Sequence, residues 1–283
     1  MQTRRYHECI WRMCFWGAGL YVLIVLAAIL GLLLWRGGSV LSWEFITSAP
    51  KGLFLGTEGG IFPAIVGTLS LTSIATLMAA VPALLVAIYL VEYAEASTCS
   101  KCTGFLMQAM IGIPSILTGL FGYAFFVVYL DFGISLLAGG LTLAVMILPT
   151  LVVLMRDALQ AVDDDYRFLG TCLGVSRRYL LQRIILPLAS PHLLSSALLA
   201  AGYAAGATAP IMVTAAVIMS RGSVDLFSPV MALPFHLYIL FSQHISVDRA
   251  YGTALLLVLL LLALNFLSMY LRNRYGKRVV AHD

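Results

Sequence analysis

"GTCLGVSRRYLLQRIILPLASP", residues 170–191, is the stretch on which the reading of the fold turns. It is basic, half apolar and well bounded: Gly174 leads, Arg177, Arg178 and Arg183 follow on a helical repeat, and Pro187 comes last. Nearly everything on either side is apolar enough to sit in lipid. A short cationic segment between two long apolar runs is a connection in a multi-pass membrane protein, and the side it faces orients the rest.

The surroundings support that class. Hydrophobic residues fill 61% of 283 positions and charged residues 11%, against roughly 25% charged in an ordinary soluble domain. Uncharged runs near 13–35, 65–91, 104–130, 134–155, 192–219 and 251–271 can each cross a hydrocarbon core of about 30 Å at roughly 1.5 Å per residue. The expected fold is therefore all-α and polytopic, with six transmembrane helices. The segment "VDLFSPVMALPFHLYILFSQ", 224–243, suggests a seventh, but Pro229 and Pro234 interrupt it. A seventh span would also carry the tail "RNRYGKR" away from the other basic loops, so this segment reads as re-entrant or external. The run at 13–35 is too long for the apolar core of a cleaved signal and lacks a small-residue cleavage site. It is expected to stay as an anchor.

Charge orients the bundle. Of 17 Lys and Arg, 13 fall in four patches: Arg4, Arg5 and Arg12; Lys101; Arg156, Arg167, Arg177, Arg178 and Arg183; and Arg272, Arg274, Lys277 and Arg278. Arg36, Lys51, Arg221 and Arg249 occupy the other side. Cytoplasmic loops carry the excess of Lys and Arg, so both termini and the 170–191 stretch are expected in the cytoplasm. The net charge of +4 then reports membrane topology, and no nucleic-acid partner is expected. The chain divides into an anchor helix and first external loop (1–60), a transmembrane domain with cytoplasmic helices at about 163–187 (61–275), and a short basic tail (276–283).

Function is narrowed by what is missing. No G-x-x-x-x-G-K-[ST], H-E-x-x-H or G-x-S-x-G occurs, so no ATP site or hydrolytic site is expected in this chain. No acid, Lys or Arg lies inside the six runs. Self-powered carriers and pumps bury functional charge, at roughly 2.5–3.5 kcal/mol per residue on insertion scales; here energy should come from elsewhere. Five cysteines give no disulfide framework, and Cys99 with Cys102 forms a lone C-x-x-C with no second pair or neighbouring His, so no metal is expected. His192, His236 and His244 are scattered, and Glu58, on the outer side, reads equally as a contact for a docking protein and as a solvated loop acid.

Within the spans, Gly67, Thr68, Ser70, Ala79 and Ala80 are spaced for close helix approach. Pro82, Pro114 and Pro149 kink or end spans, and Pro114, Ser115 and Thr118 together open a polar backbone notch. In the basic stretch, Asp163, Asp164 and Asp165 offer N-caps for a first helix at about 165–173, and Gly174 suits its stop. Ser176 caps a second helix that Pro187 closes, with Tyr179, Leu180 and Arg183 on one side. A basic amphipathic helix suits a membrane surface, but acids beside the basics and the glycine break favour docking to a partner protein.

Gly174, nine residues, then Ile184-Ile185-Leu186-Pro187 resembles the signature Glu-Ala-Ala-x3-Gly-x9-Ile-x-Leu-Pro of binding-protein-dependent ABC importer permeases. Further segments resemble the PstA-type phosphate permease subunit of that family: "GTLSLTSIATLMAAVPALLVAIYLVEYA" (67–94), "GIPSILTGLFGYAF" (112–125), "ILPTLVVLMRDALQAVDDDYR" (147–167) and "AGATAPIMVTAA" (205–216). The resemblance implies a type I ABC importer permease fold and a chain that is not an enzyme. The implied partners are a homologous second permease, a cytoplasmic ATPase dimer that uses the ATP and Mg, a periplasmic substrate-binding protein and the lipid bilayer of a bacterial inner membrane. It implies an ATPase-docking surface of Gly174, Arg177, Arg178, Tyr179, Arg183, Ile184 and Pro187, and pathway candidates Ser115, Thr118, Tyr203, Thr208 and Pro210. Two places depart from the pattern. Phe168, Leu169 and Gly170 stand where the family has Glu-Ala-Ala, and Tyr203 and Ala207 stand where its fifth span has an Arg and a Glu. Losing both charges together strands neither, whereas losing one partner of a buried pair would cost roughly 3–5 kcal/mol. The implied function is import of inorganic phosphate or a related oxyanion; the alternatives are a non-transporting structural or regulatory subunit, or a permease for another substrate.

Overall fold

The structure is a computed structural model that describes residues 2–51, 58–94, 98–218 and 225–280. Arg221 and the side chains of Glu58 and Cys99 lie outside the described residues. In chain order, α1 (Gln2–Gly38) leads to a short α2 (Trp43–Thr47) and a two-stranded hairpin, β1 (Pro50–Lys51) with β2 (Glu58–Gly59). Then come α3 (Phe62–Ile88), α4 (Thr98–Ile111), α5 (Ser115–Gly122) and α6 (Leu136–Gln160). The segment of interest holds α7 (Asp164–Cys172) and α8 (Arg177–Leu180), and α9 (Leu186–Ala205), α10 (Ala209–Thr214), α11 (Leu233–Ser242) and α12 (Val247–Val280) complete the chain.

Among the described residues, five stretches are long and apolar enough to cross a membrane: Trp11–Gly38, Phe62–Tyr93, Leu136–Gln160, Arg177–Ala205 and Val247–Arg274. The third expected span, 104–130, is a pair of helices, Ser100–Ile111 and Ser115–Tyr129, bent by 97°, either a broken span or a re-entrant loop. The cause is local. Pro114 has no N–H for a helical bond and pushes Ile113 out of the helical region. Pro114 itself is extended (ψ 133°), and its carbonyl accepts from Leu117 N and Thr118 N to start the new helix.

Three other boundaries move. Pro187 does not close the second basic helix: the chain runs on from Arg177 to Ala205 through a wide π-turn at Leu181–Ile185, where Leu186 N donates to Leu181 O. A proline ring collides with the carbonyl four residues back, and one extra residue in the turn relieves that. The fifth span ends at Ala205 and not near 219, because Gly206 caps it and Pro210 restarts the chain as α10. The last helix continues to Val280, through the boundary expected at 276.

The core lies where α6 packs along α3 and α9. Ala75, Ala79, Ala83 and Ala87 of α3 are fully buried against Leu143, Ile147, Leu151 and Leu159 of α6 and Ala189, Ala200 and Ala204 of α9. Small residues let membrane helices approach until dispersion and hydroxyl bonds hold them. Gly67 and Thr68 serve a different neighbour from the helix expected. A methyl on Gly67 would run into the Met231 carbonyl, and the Thr68 hydroxyl donates to Ala64 O at 2.7 Å while accepting from Leu233 N at 2.8 Å. They receive the buried non-helical stretch 230–232 and Leu233 at the start of α11, and the stretch is stitched further by Val217 N to Val230 O and Val230 N to Ala215 O. That stretch feeds α11, which at ten residues is shorter than a span.

Candidate docking hairpin and membrane cavity

Chain direction puts the end of α3, the end of α6 and the start of α9 at one end of the bundle, and the hairpin of α7 and α8 projects there. Its shape follows from local chemistry. Asp163 caps α7 by accepting from Asp165 N at 3.1 Å, and Asp164 and Asp165 place negative charge at the positive helix end. The helix stops in a Schellman turn: Val175 N donates to Gly170 O at 2.9 Å and Gly174 N to Thr171 O at 3.1 Å. Gly174 takes φ +67°, which costs an L side chain strain and costs glycine nothing. Ser176 then accepts from Tyr179 N to open the second arm.

The turn is tight because Gly170 is buried under Leu180; a methyl there would lie 3.0 Å from both Leu180 terminal carbons. With Leu180 turned inward, the outer surface keeps Phe168 (69% exposed), Leu169, Leu173 (77%) and Tyr179 (56%). Arg177, Arg178, Arg183, Gly174 and Pro187 are exposed beside them, whereas Ile184 is half-buried against the core. Of the residues expected to dock a partner, Gly174, Arg177, Arg178 and Tyr179 share the knuckle, apolar at its crest and basic at its flank, while Arg183, the half-buried Ile184 and Pro187 follow in the π-turn and the start of α9.

Arg167 holds this knuckle to the bundle, and sequence reasoning missed it as a site. Its guanidinium has five N–H donors, and five hydrogen bonds leave it. Nε and Nη2 donate to Glu92 Oε1 at 3.1 and 2.9 Å. Nη1 donates to Val162 O and Asp164 Oδ1, both at 2.9 Å, and Nη2 to Leu159 O at 3.0 Å. Arg167 and Glu92 are 21% and 12% exposed as side chains. From the other arm, Arg177 Nη1 reaches the Glu92 carbonyl at 3.3 Å. The one signal available beforehand was Glu92 at the edge of an apolar run and Arg167 in a later connection, 75 residues away.

On the surface of the bundle, Thr118 and the exposed Tyr203 share an open cavity of about 370 Å³ with Thr150 and Pro149 of α6 and the exposed Phe121 of α5. Thr150 was not singled out in the sequence. No acid, His, Lys or Arg is among the described residues that line it. The other pathway candidates lie apart: Ser115 is half-buried at the start of α5, and Pro210 is buried against Gly119, where a methyl would sit 2.8 Å from its Cα. Thr208 lines a separate apolar cavity of about 510 Å³ with Leu33, Pro234 and Tyr251. Among the described residues no group of His, Cys, Asp or Glu could hold a metal, and Cys102 is exposed as a free thiol.

The profile of the family "Binding-protein-dependent transport system inner membrane component" matches residues 52–281. "Phosphate transport system permease protein PstA 2" of Mycobacterium tuberculosis is 34% identical over 235 residues, 82% of this chain and 76% of that one. The "Probable phosphate transport system permease protein PstA" of Methanocaldococcus jannaschii is 34% identical over 210 residues, 74% of each chain. Among solved structures, a bacterial alginate ABC transporter superposes with a TM-score of 0.66 at 12% identity, covering 96% of each chain. The MetNI methionine ABC transporter in an inward-facing form gives 0.63 at 16% identity, over 75% of this chain and 94% of that one. The fold is that of an ABC importer permease and the sequence follows one branch of such permeases, so this chain belongs to the binding-protein-dependent transport system inner membrane components.

Proposed function

We propose that this chain is a permease subunit of an ATP-driven importer for inorganic phosphate or a related oxyanion in a bacterial inner membrane. The observation that carries the reading is the exposed knuckle of α7 and α8, an apolar surface held at one end of a bundle whose six apolar runs contain no Asp, Glu, Lys or Arg. It faces the cytoplasm, where a separate ATPase dimer grips it and supplies the ATP and Mg chemistry. A homologous second permease completes the pathway, and a periplasmic binding protein delivers the anion to the outer loops. The names of the relatives support phosphate as the cargo.

In this half of the pathway, the cavity of Thr118, Thr150 and Tyr203 offers hydroxyls and no charge. Hydroxyls can hydrogen-bond an oxyanion without neutralising it, so the paired permease contributes the cationic contact. The same uncharged wall favours one other reading, a structural or regulatory subunit that keeps the fold and does not itself carry substrate. Reconstitution decides between them. The complex with its ATPase, second permease and binding protein should take up inorganic phosphate in proteoliposomes when ATP is present, and Gly174→Asp should abolish most uptake while leaving the subunit inserted. Uptake unchanged in that variant would sink the docking assignment. Full uptake with the Thr118→Val, Thr150→Val and Tyr203→Phe changes combined would favour the regulatory reading.

A further inference from the structure

We infer that Arg167 is the positioning residue through which the docking knuckle moves the membrane bundle, a role that rests on the reading as an ATP-driven permease. Transmitting a displacement between elements requires a stiff link attached at several points, and coupling through a packed or hydrogen-bonded network requires contiguity. Arg167 meets both conditions. Its planar guanidinium presents its donors in a fixed fork, and every donor is used.

Beyond a bond within its own helix, the bonds reach two other elements. Leu159 O lies in the last turn of α6, where helix carbonyls have no partner within the helix, and Val162 O just beyond it, so the guanidinium caps α6 as a cation at its negative end. Glu92 sits in the π-turn that finishes the second span, and Asp164 lies in the first turn of α7 itself. Arg177, in the opposite arm of the hairpin, bonds the Glu92 backbone. Both arms of the knuckle therefore attach at the end of the second span, and one of them also attaches at the end of the fourth. From Leu159, α6 continues to Thr150, nine residues or about 14 Å along the helix axis, where it forms the cavity wall. A displacement of the knuckle thus has a continuous path from Arg167 along α6 to the cavity.

The test uses the whole complex in proteoliposomes with the variants Arg167→Ala, Arg167→Lys, Glu92→Gln and the double change to alanine. Three quantities are read: co-purification of the ATPase, inorganic phosphate taken up per ATP hydrolysed, and ATP-dependent labelling of a cysteine placed at Thr150. Arg167→Ala should still co-purify the ATPase, yet lose about tenfold or more in uptake per ATP, within the roughly 5–150-fold span of site-to-site coupling. The labelling change at position 150 should vanish with it. Arg167→Lys keeps the charge but not the fork and should fall between; if the alanine variant does not assemble, lysine decides. The double change should be no worse than Arg167→Ala alone. Unchanged labelling and uptake in Arg167→Ala and Arg167→Lys would overturn the role. So would loss of ATPase co-purification in both, since Arg167 would then only shape the dock. A wild-type complex without phosphate uptake counts against the cargo proposed above, while the labelling at position 150 still decides for or against Arg167.

Discussion

Thr68 shows how one hydroxyl fixes a neighbouring chain at the residue scale. Its oxygen donates to Ala64 O and accepts from Leu233 N, so the start of α11 and the stretch 230–232 before it have a defined height against α3. Thr68→Val keeps the shape and strands a buried N–H, which costs about 1–3 kcal/mol. The expected result is a lower apparent Tm of the purified complex in detergent, with the fold unchanged; an equal Tm would refute the bond's importance. His236, on the non-spanning α11, is 4% exposed, and its pKa is lowered from 6.5 to about 4, first by burial and then by the Arg249 cation. The Thr253 hydroxyl spends its proton on Arg249 O at 2.9 Å, so the ring Nδ1 at 3.4 Å is the donor in the neutral form. A lowered pKa means the unfolded chain binds the proton more readily. The stability from neutral His236 is therefore present above about pH 6.5 and is lost as pH falls toward 4, on the order of 3 kcal/mol in total. Melting at pH 7.5 and pH 5 should show a fall in wild type that His236→Gln reduces; equal falls in both would reject the assignment.

Proline decides most at the scale of elements, and its effects were only partly legible in the sequence. The long uncharged runs announce spans because the bilayer demands length and apolarity, and five appear directly. What Pro114 and Pro187 do depends on neighbours that one sequence does not display. Pro114 turns the chain by 97°, whereas Pro187 is absorbed by the π-turn Leu181–Ile185 and leaves the helix whole. The hairpin itself was readable, since Asp163, Gly174 and Ser176 act through bonds within a few residues. Arg167 was not, because its main partner lies 75 residues away. If the π-turn exists to accommodate the ring, Pro187→Ala should allow ordinary α-helical bonds there and raise the Tm. Proline inside a helix costs about 3 kcal/mol against alanine, and the turn offsets part of that. The same change rotates Arg177 and Tyr179 relative to α9, so uptake per ATP should fall. Higher Tm with full uptake would mean the turn is a packing accommodation without a part in coupling.

Sidedness is the property of the whole molecule that the mechanism depends on, and it follows from charge counted over both ends. The hairpin end carries Arg156, Arg167, Arg177, Arg178, Arg183, Arg272 and Arg274, and the opposite end carries Arg36, Lys51 and Arg249. Lys and Arg are retained on the cytoplasmic side during insertion, and anionic lipid there contributes about 1 kcal/mol for each cation near the surface. The imbalance therefore favours one orientation, with the knuckle inside. Nature supplies the probe: Cys172 is an exposed free thiol on the knuckle. With Cys9, Cys14, Cys99 and Cys102 replaced by alanine, a membrane-impermeant maleimide should label Cys172 in inverted vesicles and not in intact cells with a permeabilised outer layer. Ser39, exposed just beyond α1 at the other end, should give the reverse pattern when made the single cysteine. Saturating ATPase subunit should protect Cys172 and leave the Ser39 site reactive. If Cys172 instead reacts from outside, no cytoplasmic motor can reach the knuckle, and the charge count, the docking surface and the strut at Arg167 lose their meaning together.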